Sequence, residues 1–169
     1  MYLNCGPCVL RNWRIDDVPR LSEIANDVNV SRYMTAQFPH PYTHADARAW
    51  IEKSLGDDAT NFALVVDGVV AGGCGYELGE YERSQSAEIG YWLGTAYWGR
   101  GIASAALHRL TEYAFEKHGL LRLQATIYAP NAASARVAEK CGYVREGLLK
   151  KAVAKDGGPF DVFLYAKVR

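Results

Sequence analysis

The chain has 169 residues, 49% of them hydrophobic, and its 19 basic residues balance its 19 acidic ones. This length suits one domain with a substantial core. The balanced charge gives no field that would hold nucleic acid or an anionic membrane, so neither partner is expected. The apolar runs are far shorter than the roughly 20 residues that span a bilayer, and the N-terminus lacks the features of an export signal. We therefore expect a single cytoplasmic domain over residues 1–169.

The N-terminal third predicts a strand followed by two helices. Apolar and polar residues alternate from Cys8 to Arg14, which is typical of a half-buried strand. Asp16 then opens an amphipathic helix, with its carboxylate near the positive end of the helix dipole. Thr43 and Asp46 have the spacing of a capping box and predict a helix that runs to about Leu55.

The rest of the chain predicts alternating strands and helices. Asp67-Gly68 is a strong signal for a tight hairpin turn between two strands. Periodicity predicts strands over 61–66, 69–78, 87–94 and 121–128, helices over 102–117 and 131–141, and a closing hairpin of strands 143–152 and 160–168. This order indicates one mixed α/β sheet with helices on both faces.

Cys5-Gly6-Pro7-Cys8 has the four letters of a thioredoxin redox centre. Thioredoxin-type reactivity needs the first cysteine at a helix N-terminus after a strand, whereas only four residues come before this pair. A zinc site shared with His40 and His44 would span far more residues than a zinc finger does, including a predicted helix. We expect no earlier strand, no metal site and a turn with two bystander thiols. A thiol oxidoreductase is kept as an alternative class.

Gly94 to Ser104 lies between a predicted strand and a predicted helix, with glycines at 99 and 101. Glycines let successive main-chain N–H groups turn toward one point, and the helix that starts there adds its positive dipole end. Such a loop binds phosphate, although a plain tight turn is an equally open interpretation. Arg100 and Gly101 stand where a Walker A motif needs lysine and serine or threonine, and Ser104 replaces the third glycine of a dinucleotide motif.

From Glu88 to Tyr143 the sequence resembles the GNAT superfamily of acyl-CoA N-acyltransferases. Their signature is Gln/Arg-x-x-Gly-x-Gly/Ala at the start of a helix, then a strand and an Asn-led helix that ends in Gly-Phe or Gly-Tyr. Gly101-x-Ala103, Asn131-x-x-Ser134 and Gly142-Tyr143 match it. The stretches VLRNWRIDD, SRYM, FPHPYT, EIGYWL and YWGRGIA resemble the branch of the ribosomal-protein N-terminal acetyltransferases.

The resemblance implies a mixed, mostly antiparallel sheet of about seven strands, with two central strands splayed apart. Acetyl-CoA (coenzyme A) would place its pantetheine arm in that gap and its diphosphate on the glycine loop. Trp98 departs from the Gln/Arg position, and Ala138 stands where many members carry a tyrosine that protonates the leaving thiolate. The implied coenzyme-binding residues are Trp92, Leu93, Gly94, Trp98, Gly99, Arg100, Gly101, Ile102, Ala103, Ser104 and Asn131.

The resemblance also implies direct acetyl transfer to a primary amine, either a protein N-terminus or a small molecule. Glu88 is the candidate general base, with Glu77 as the second choice and simple surface exposure of Glu88 as the alternative. Ser134 would hold or protonate the thiolate, unless its hydroxyl makes a local bond to the helix start. Asn131 would bind the pantetheine arm or only cap its helix.

Aromatic residues between the first helices are candidates for the wall of the amine acceptor site, although aromatics near helices more often belong to the core. They are Tyr33, Phe38, Tyr42 and Trp50. The exposed closing hairpin could pair two subunits as a homodimer. A coenzyme-binding sensor without turnover is the alternative function on the same fold.

Overall fold

The computed structural model describes residues 1–56 and 58–169. Within these residues eight strands form one sheet, accompanied by five α-helices. In chain order the elements are β1 (Tyr2–Asn4), β2 (Val9–Asn12), α1 (Val18–Ala25), α2 (Val28–Ser31), α3 (His44–Lys53), β3 (Asn61–Val66), β4 (Val69–Leu78), β5 (Ser86–Leu93), α4 (Ile102–His118), β6 (Arg122–Tyr128), α5 (Ala132–Lys140), β7 (Val144–Lys155) and β8 (Gly158–Val168).

The sheet is mixed and mostly antiparallel. Its strand order is β1-β2-β3-β4-β5-β6-β8-β7, and among the described strands β5 and β6 are the one parallel pair of neighbours. Parallel neighbours need a long crossover, which α4 provides. The predicted fold class is confirmed, with eight strands where about seven were expected.

β1 is the strand that the sequence did not predict. It pairs antiparallel with β2, so the prediction that no strand precedes Cys5 is wrong. Three residues suffice because β2 supplies the pairing and Leu3 is 8% exposed. Gly6, with a φ of 85°, lies between the two strands. Cys5 and Cys8 therefore flank a hairpin turn and lack the helix N-terminus that activates a thioredoxin thiol.

β5 and β6 diverge along their length. They pair only over residues 86–88 and 122–124. Beyond this point β5 continues alongside β4, whereas β6 continues alongside β8. The splayed central strands that the resemblance implies are confirmed, and the gap between them opens toward the C-terminal ends of both strands.

Helices cover both faces of the sheet, as predicted. α4 packs in one buried cluster through a stripe that includes Ala106, Leu110 and Ala114. α1 and α3 pack in a second, separate cluster through Leu21 and Ile51. Apolar residues at three- and four-residue spacing give each helix one face that meets the sheet.

Local sequence signals determine several element ends. Thr43 and Asp46 form the predicted capping box, in which the Asp46 N–H donates to Thr43 Oγ1 at 3.2 Å and the Thr43 N–H donates to Asp46 Oδ2 at 2.8 Å. Asp67 and Gly68 have φ angles of 48° and 80°, as a primed hairpin turn requires. In the described part of the chain, no helix has the length and apolar character to cross a membrane.

β7 forms one edge of the sheet and is irregular. Its pairing with β8 shifts register between Leu149 and Val153, and Lys151 within this interval has a φ of 51°. Residues 148–151 are exposed, including Lys150 and Lys151. The irregularity is a β-bulge, which bends an edge strand and interrupts its ladder.

Candidate active site

A cleft of about 790 Å³ occupies the gap between β5 and β6. β5, β6, the glycine loop, α5 and the segment that contains α2 contribute its walls. The predicted residues that line it are Tyr33, Glu88, Trp92, Leu93, Trp98, Gly99, Arg100, Gly101, Ile102, Ala103, Ser104, Asn131 and Ser134. Phe38, Tyr42 and Gly94 lie outside its described lining.

The main chain of β5 presents only some of its groups to the cleft. The Gly94 N–H donates to Ala71 O at 2.8 Å. Because antiparallel pairing alternates, Trp92 and Gly94 direct their main-chain groups to β4, whereas Tyr91 and Leu93 direct theirs into the gap. This direction contradicts the predicted pairing of a pantetheine arm with main-chain groups of Trp92 and Gly94, whereas Leu93, which was also predicted, faces the gap together with Tyr91.

The glycine loop is an open cradle at the start of α4. Gly99 and Gly101 have φ angles of 73° and 75°, and a Cβ at either position would meet no atom within 4 Å. Among the residues that the structure describes, no side chain caps α4, and the Ala105 N–H makes a helical bond to Gly101 O at 3.1 Å. The N–H groups of residues 102–104 have no partner within the helix. The loop thus has the donors and the dipole end that bind a phosphate.

The cleft lining carries both basic and acidic side chains. Arg100 comes from the loop, and Arg136 and Lys140 come from α5. Cys141, the residue after α5, donates from Sγ to Ser104 O in the first turn of α4 at 3.2 Å. Glu77 and Glu88 line another part of the cleft. Sequence reasoning missed Arg136 and Lys140, although their i,i+4 spacing on an Asn-led helix was a usable signal.

Ser134 and Tyr91 bond to each other between α5 and β5. Ser134 Oγ donates to Tyr91 Oη at 3.0 Å, and Tyr91 Oη donates to Ser134 O at 2.9 Å. Burial raises the pKa of Tyr91, so this phenol stays protonated. The local bond considered for the Ser134 hydroxyl is not made. Asn131 caps the helix instead, where its Oδ1 accepts from the Ser134 N–H at 3.2 Å.

Glu77 and Glu88 stand directly opposite each other in the register of β4 and β5. Side chains of directly opposed residues project from the same face of a sheet, so both carboxylates share one part of the cleft. Both residues are exposed. The two candidates for a general base are therefore neighbours.

A family model described as an acetyltransferase (GNAT) domain matches residues 8–144. The chain belongs to the GNAT acetyltransferase family. The resemblance inferred from the sequence is confirmed, and the glycine loop, the cleft and Ser134 all lie within the matched residues.

Known GNAT proteins are similar over all or part of the chain. An uncharacterized N-acetyltransferase, p20, of Bacillus licheniformis is 30% identical over 95% of this chain and 92% of its own length. The ribosomal-protein-serine acetyltransferase of Escherichia coli is 36% identical over 50% of this chain and 48% of its own. The structure of Mycobacterium smegmatis RimJ in complex with CoA-disulfide has a TM-score of 0.84 and 26% identity, and covers 97% of this chain and 83% of that one.

Two departures from the GNAT signature have visible structural settings. Trp98, at the Gln/Arg position, is 49% exposed and donates from Nε1 to Leu93 O at 2.9 Å. This bond ties the loop to the end of β5. Ala138, at the position of the missing tyrosine, is fully buried. Ala138 therefore offers no acidic proton, and the Ser134 hydroxyl, which is bonded to Tyr91 Oη, belongs to the preceding turn of α5.

The aromatic residues predicted for an acceptor wall fall into two groups. Tyr33 lines the cleft and packs against Tyr128, with ring centroids 5.9 Å apart. Tyr42 is 6% exposed and belongs to the core, which corrects its predicted place in the wall. Phe38 packs between Tyr42 and Trp92, at 4.9 Å and 5.3 Å, and so supports the face of β5 from behind. Trp50 packs against the same cluster.

Proposed function

We propose that this GNAT enzyme transfers the acetyl group of acetyl-CoA to a primary amine by direct attack in a ternary complex. The observation that carries the proposal is that one cleft contains two features. They are the start of α4, which follows a glycine loop and has no described side-chain cap, and the gap between the splayed strands β5 and β6. The first holds a diphosphate and the second admits an extended arm, so the cleft fits the two ends of one coenzyme.

The described residues fit the coenzyme at both ends. The N–H groups of residues 102–104 and the side chain of Arg100 would hold the diphosphate, with Arg136 and Lys140 adding positive charge. The main chain of Tyr91 and Leu93 would pair with the amides of the pantetheine arm, as an added strand does. Acetyl-CoA supplies an activated acetyl thioester when bound. A main-chain N–H of β5 that faces the gap and is not used by the arm would donate to the oxygen that gains charge during transfer.

Glu88 would act as the general base for the incoming amine, through a water molecule. Its carboxylate is exposed to the cleft, which permits a water-mediated path. An α-amino group has a pKa of about 8, roughly two units below that of lysine, so an N-terminal amine needs only a weak base. Glu77 would help to hold the ammonium form of the acceptor before it loses its proton.

Ser134 would hold the departing thiolate by donating a hydrogen bond to it, or would protonate it and regain a proton from water in the cleft. Its hydroxyl lies in the cleft and turns toward Tyr91, which in turn keeps its own proton on the Ser134 carbonyl. The Ser134 hydroxyl can rotate from Tyr91 Oη to the thiolate, and the Tyr91 hydroxyl remains bonded to Ser134 O, so neither donor is left without a partner. Tyr91 acts through Ser134 and is a positioning residue.

The acceptor would be a protein N-terminal amine or a small-molecule amine. Similarity to the ribosomal-protein-serine acetyltransferase favours a peptide N-terminus. A screen of small primary amines and N-terminal peptides, with acetyl-CoA and detection of the free thiol, tests this directly. Thiol release with at least one amine is expected. Binding of coenzyme A without acetylation of any amine would overturn the proposal and favour a coenzyme-binding sensor.

Glu88→Gln and Glu77→Gln separate the two carboxylates. Loss of a general base typically costs on the order of 100-fold in rate, so we expect Glu88→Gln to lower kcat/KM by about this factor near neutral pH. The loss should shrink as pH rises and the free amine forms without help. Glu116→Gln, on the exposed side of α4, is the control for a lost surface carboxylate. A Glu88→Gln variant with the wild-type rate would refute the base assignment.

A further inference from the structure

The segment that contains α2 forms one wall of the cleft. Residues 29, 30 and 32–35 line the cleft, and Tyr33 is among them. α2 has only four residues. A helix of that length is unstable on its own, because fixing the backbone of the first turn costs more conformational entropy than its few hydrogen bonds offset. Its position must therefore be determined by contacts from other parts of the chain.

One such contact comes from Lys155, at the tip of the β7–β8 hairpin. Its Nζ donates to Met34 O at 2.8 Å, to Ser31 O and, at 3.5 Å, to Arg32 O. These carbonyls belong to the end of α2 and the turn after it, where Ser31 O also accepts from the Met34 N–H at 3.0 Å. A cation at this place also interacts favourably with the negative end of the helix dipole. More than 120 residues separate the two partners in sequence.

The same hairpin supports the wall at a second point. Phe160, early in β8, packs edge-on against Tyr128 with ring centroids 5.4 Å apart, and Tyr128 packs against Tyr33 at 5.9 Å. At the other end of the segment, the Asp27 carboxylate accepts from Thr95 Oγ1 at 3.0 Å. The start of the segment is therefore tied to the approach of the glycine loop, and its end is tied to the hairpin.

We propose that Lys155 is a positioning residue for the amine acceptor, which holds residues 31–34 as a fixed wall of the acceptor side of the cleft. This inference rests on the proposed function. The described hydrogen bonds of Lys155 all go to main-chain carbonyls of residues 31–34, and none goes to the glycine loop. Loss of the ammonium group would release the wall and leave the coenzyme cradle in place. The acceptor KM should therefore change while coenzyme binding does not.

Burial of the Lys155 amine is consistent with a structural task. The residue is half-buried, and this burial lowers the pKa of Lys155, with the neighbouring Asp156 acting in the opposite direction. A lysine that served only solubility would keep its amine in water. Here the amine gives up water for three main-chain oxygens.

Lys155→Met and Lys155→Arg test the inference, with Lys150→Met as the control for a lost lysine on the exposed part of β7. We expect Lys155→Met to raise the acceptor KM about 10-fold, the size expected for a hydrogen bond to a charged group. The change in kcat should be smaller, and the Kd of coenzyme A in calorimetry should be unchanged. Lys155→Arg should recover most of the loss, and Lys150→Met should match the wild type.

Hydrogen exchange of the full-length variants gives a readout that needs no catalysis. Amides over residues 28–35 should exchange faster in Lys155→Met than in the wild type and in Lys155→Arg. Unchanged exchange and unchanged acceptor KM in Lys155→Met would overturn the inference. If the wild type acetylates no amine at all, the proposed function fails, whereas a wild-type KM in an active Lys155→Met enzyme defeats the Lys155 inference alone. Should Lys155→Met not fold, Lys155→Gln, which removes the positive charge and ends one atom short of Nζ, replaces it in both measurements with the same expected direction.

Discussion

Tyr91 and Ser134 form a closed pair: the phenol oxygen accepts from the serine hydroxyl at 3.0 Å and donates to the serine carbonyl at 2.9 Å. The pair connects β5 to the first turn of α5 across the cleft. Because Ala138 is fully buried and carries no acid, we assign the Ser134 hydroxyl, positioned by Tyr91, as the donor to the leaving thiolate.

Tyr91→Phe removes the phenol and leaves both partners in Ser134 without their bond. We expect kcat of Tyr91→Phe to fall by about 10-fold, because a general acid as a whole contributes on the order of 100-fold to the rate. Ser134→Ala should lower kcat further. The Kd of coenzyme A should change little because the cradle is intact. Tyr113→Phe on α4 loses a phenol outside the described cleft lining and is the matched control. An unchanged kcat in both Tyr91→Phe and Ser134→Ala would contradict the assignment.

Gly101→Ala tests the cradle. The position has a φ of 75° with open space around a new Cβ, so the cost is backbone strain of about 1–2 kcal/mol without a clash. Strain here should pull the N–H groups out of line and weaken coenzyme A binding in calorimetry. Gly68→Ala, at a φ of 80° with similar open space, should lose comparable stability in urea unfolding yet bind coenzyme A normally. Equal affinity in the two variants would show that the loop is only a turn.

The basic residues of α5 should make coenzyme binding sensitive to salt. Replacing Arg136 and Lys140 by glutamine removes two cations from the cleft lining, and we expect several-fold weaker binding of coenzyme A at low salt, with a shallower decline as salt is added. Arg48→Gln, on exposed α3, removes a cation outside the described lining and is the control. A salt slope identical to that of the wild type would exclude the two side chains from the coenzyme site.

His118 should make stability depend on pH. Its Nε2 lies 2.8 Å from Tyr76 Oη, and burial lowers the pKa of His118 below the ordinary 6.5. At pH values between the folded-state pKa of His118 and 6.5, the unfolded chain binds more protons than the folded chain. The stabilisation is therefore complete above pH 6.5 and is lost as the pH falls below it toward the folded pKa.

His118→Gln should flatten this dependence. Urea unfolding at about pH 8 and about pH 5.5, on either side of the ordinary histidine pKa, measures the drop in the free energy of unfolding. We expect a smaller drop in His118→Gln than in the wild type. His108→Gln, an exposed histidine of the same helix, should keep the wild-type drop, and an equal drop in all three proteins would disprove the role of His118.

Local signals account for most of the predicted fold. The Thr43–Asp46 capping box and the Asp67-Gly68 turn each act within a few residues, so the sequence shows them directly. β1 escaped prediction because three residues are too few to display alternation. Its existence depends on a partner strand and on burial of Leu3.

The parts of the candidate site that consist of residues close together in the sequence were predictable. The parts that depend on the pairing register between strands were not. The glycine loop is a local feature and lies in the cleft as expected. The direction of the main-chain groups at Trp92 and Gly94 follows from pairing with β4, which no short stretch reveals. Tyr91 looks like an ordinary core aromatic of a strand. The contact of Lys155 joins residues more than 120 positions apart.

The bulge and the lysines of β7 have a consequence for self-association. A second copy that extended the sheet at this edge would need a straight ladder of donors and acceptors, and the interruption at Lys151 denies it one. The homodimer predicted through the closing hairpin stays a prediction, and continuous strand-to-strand docking would place Lys150 and Lys151 of both copies in mutual repulsion. The β7 edge is therefore a poor template for an added strand, and it is separated from the cleft by β8 and β6.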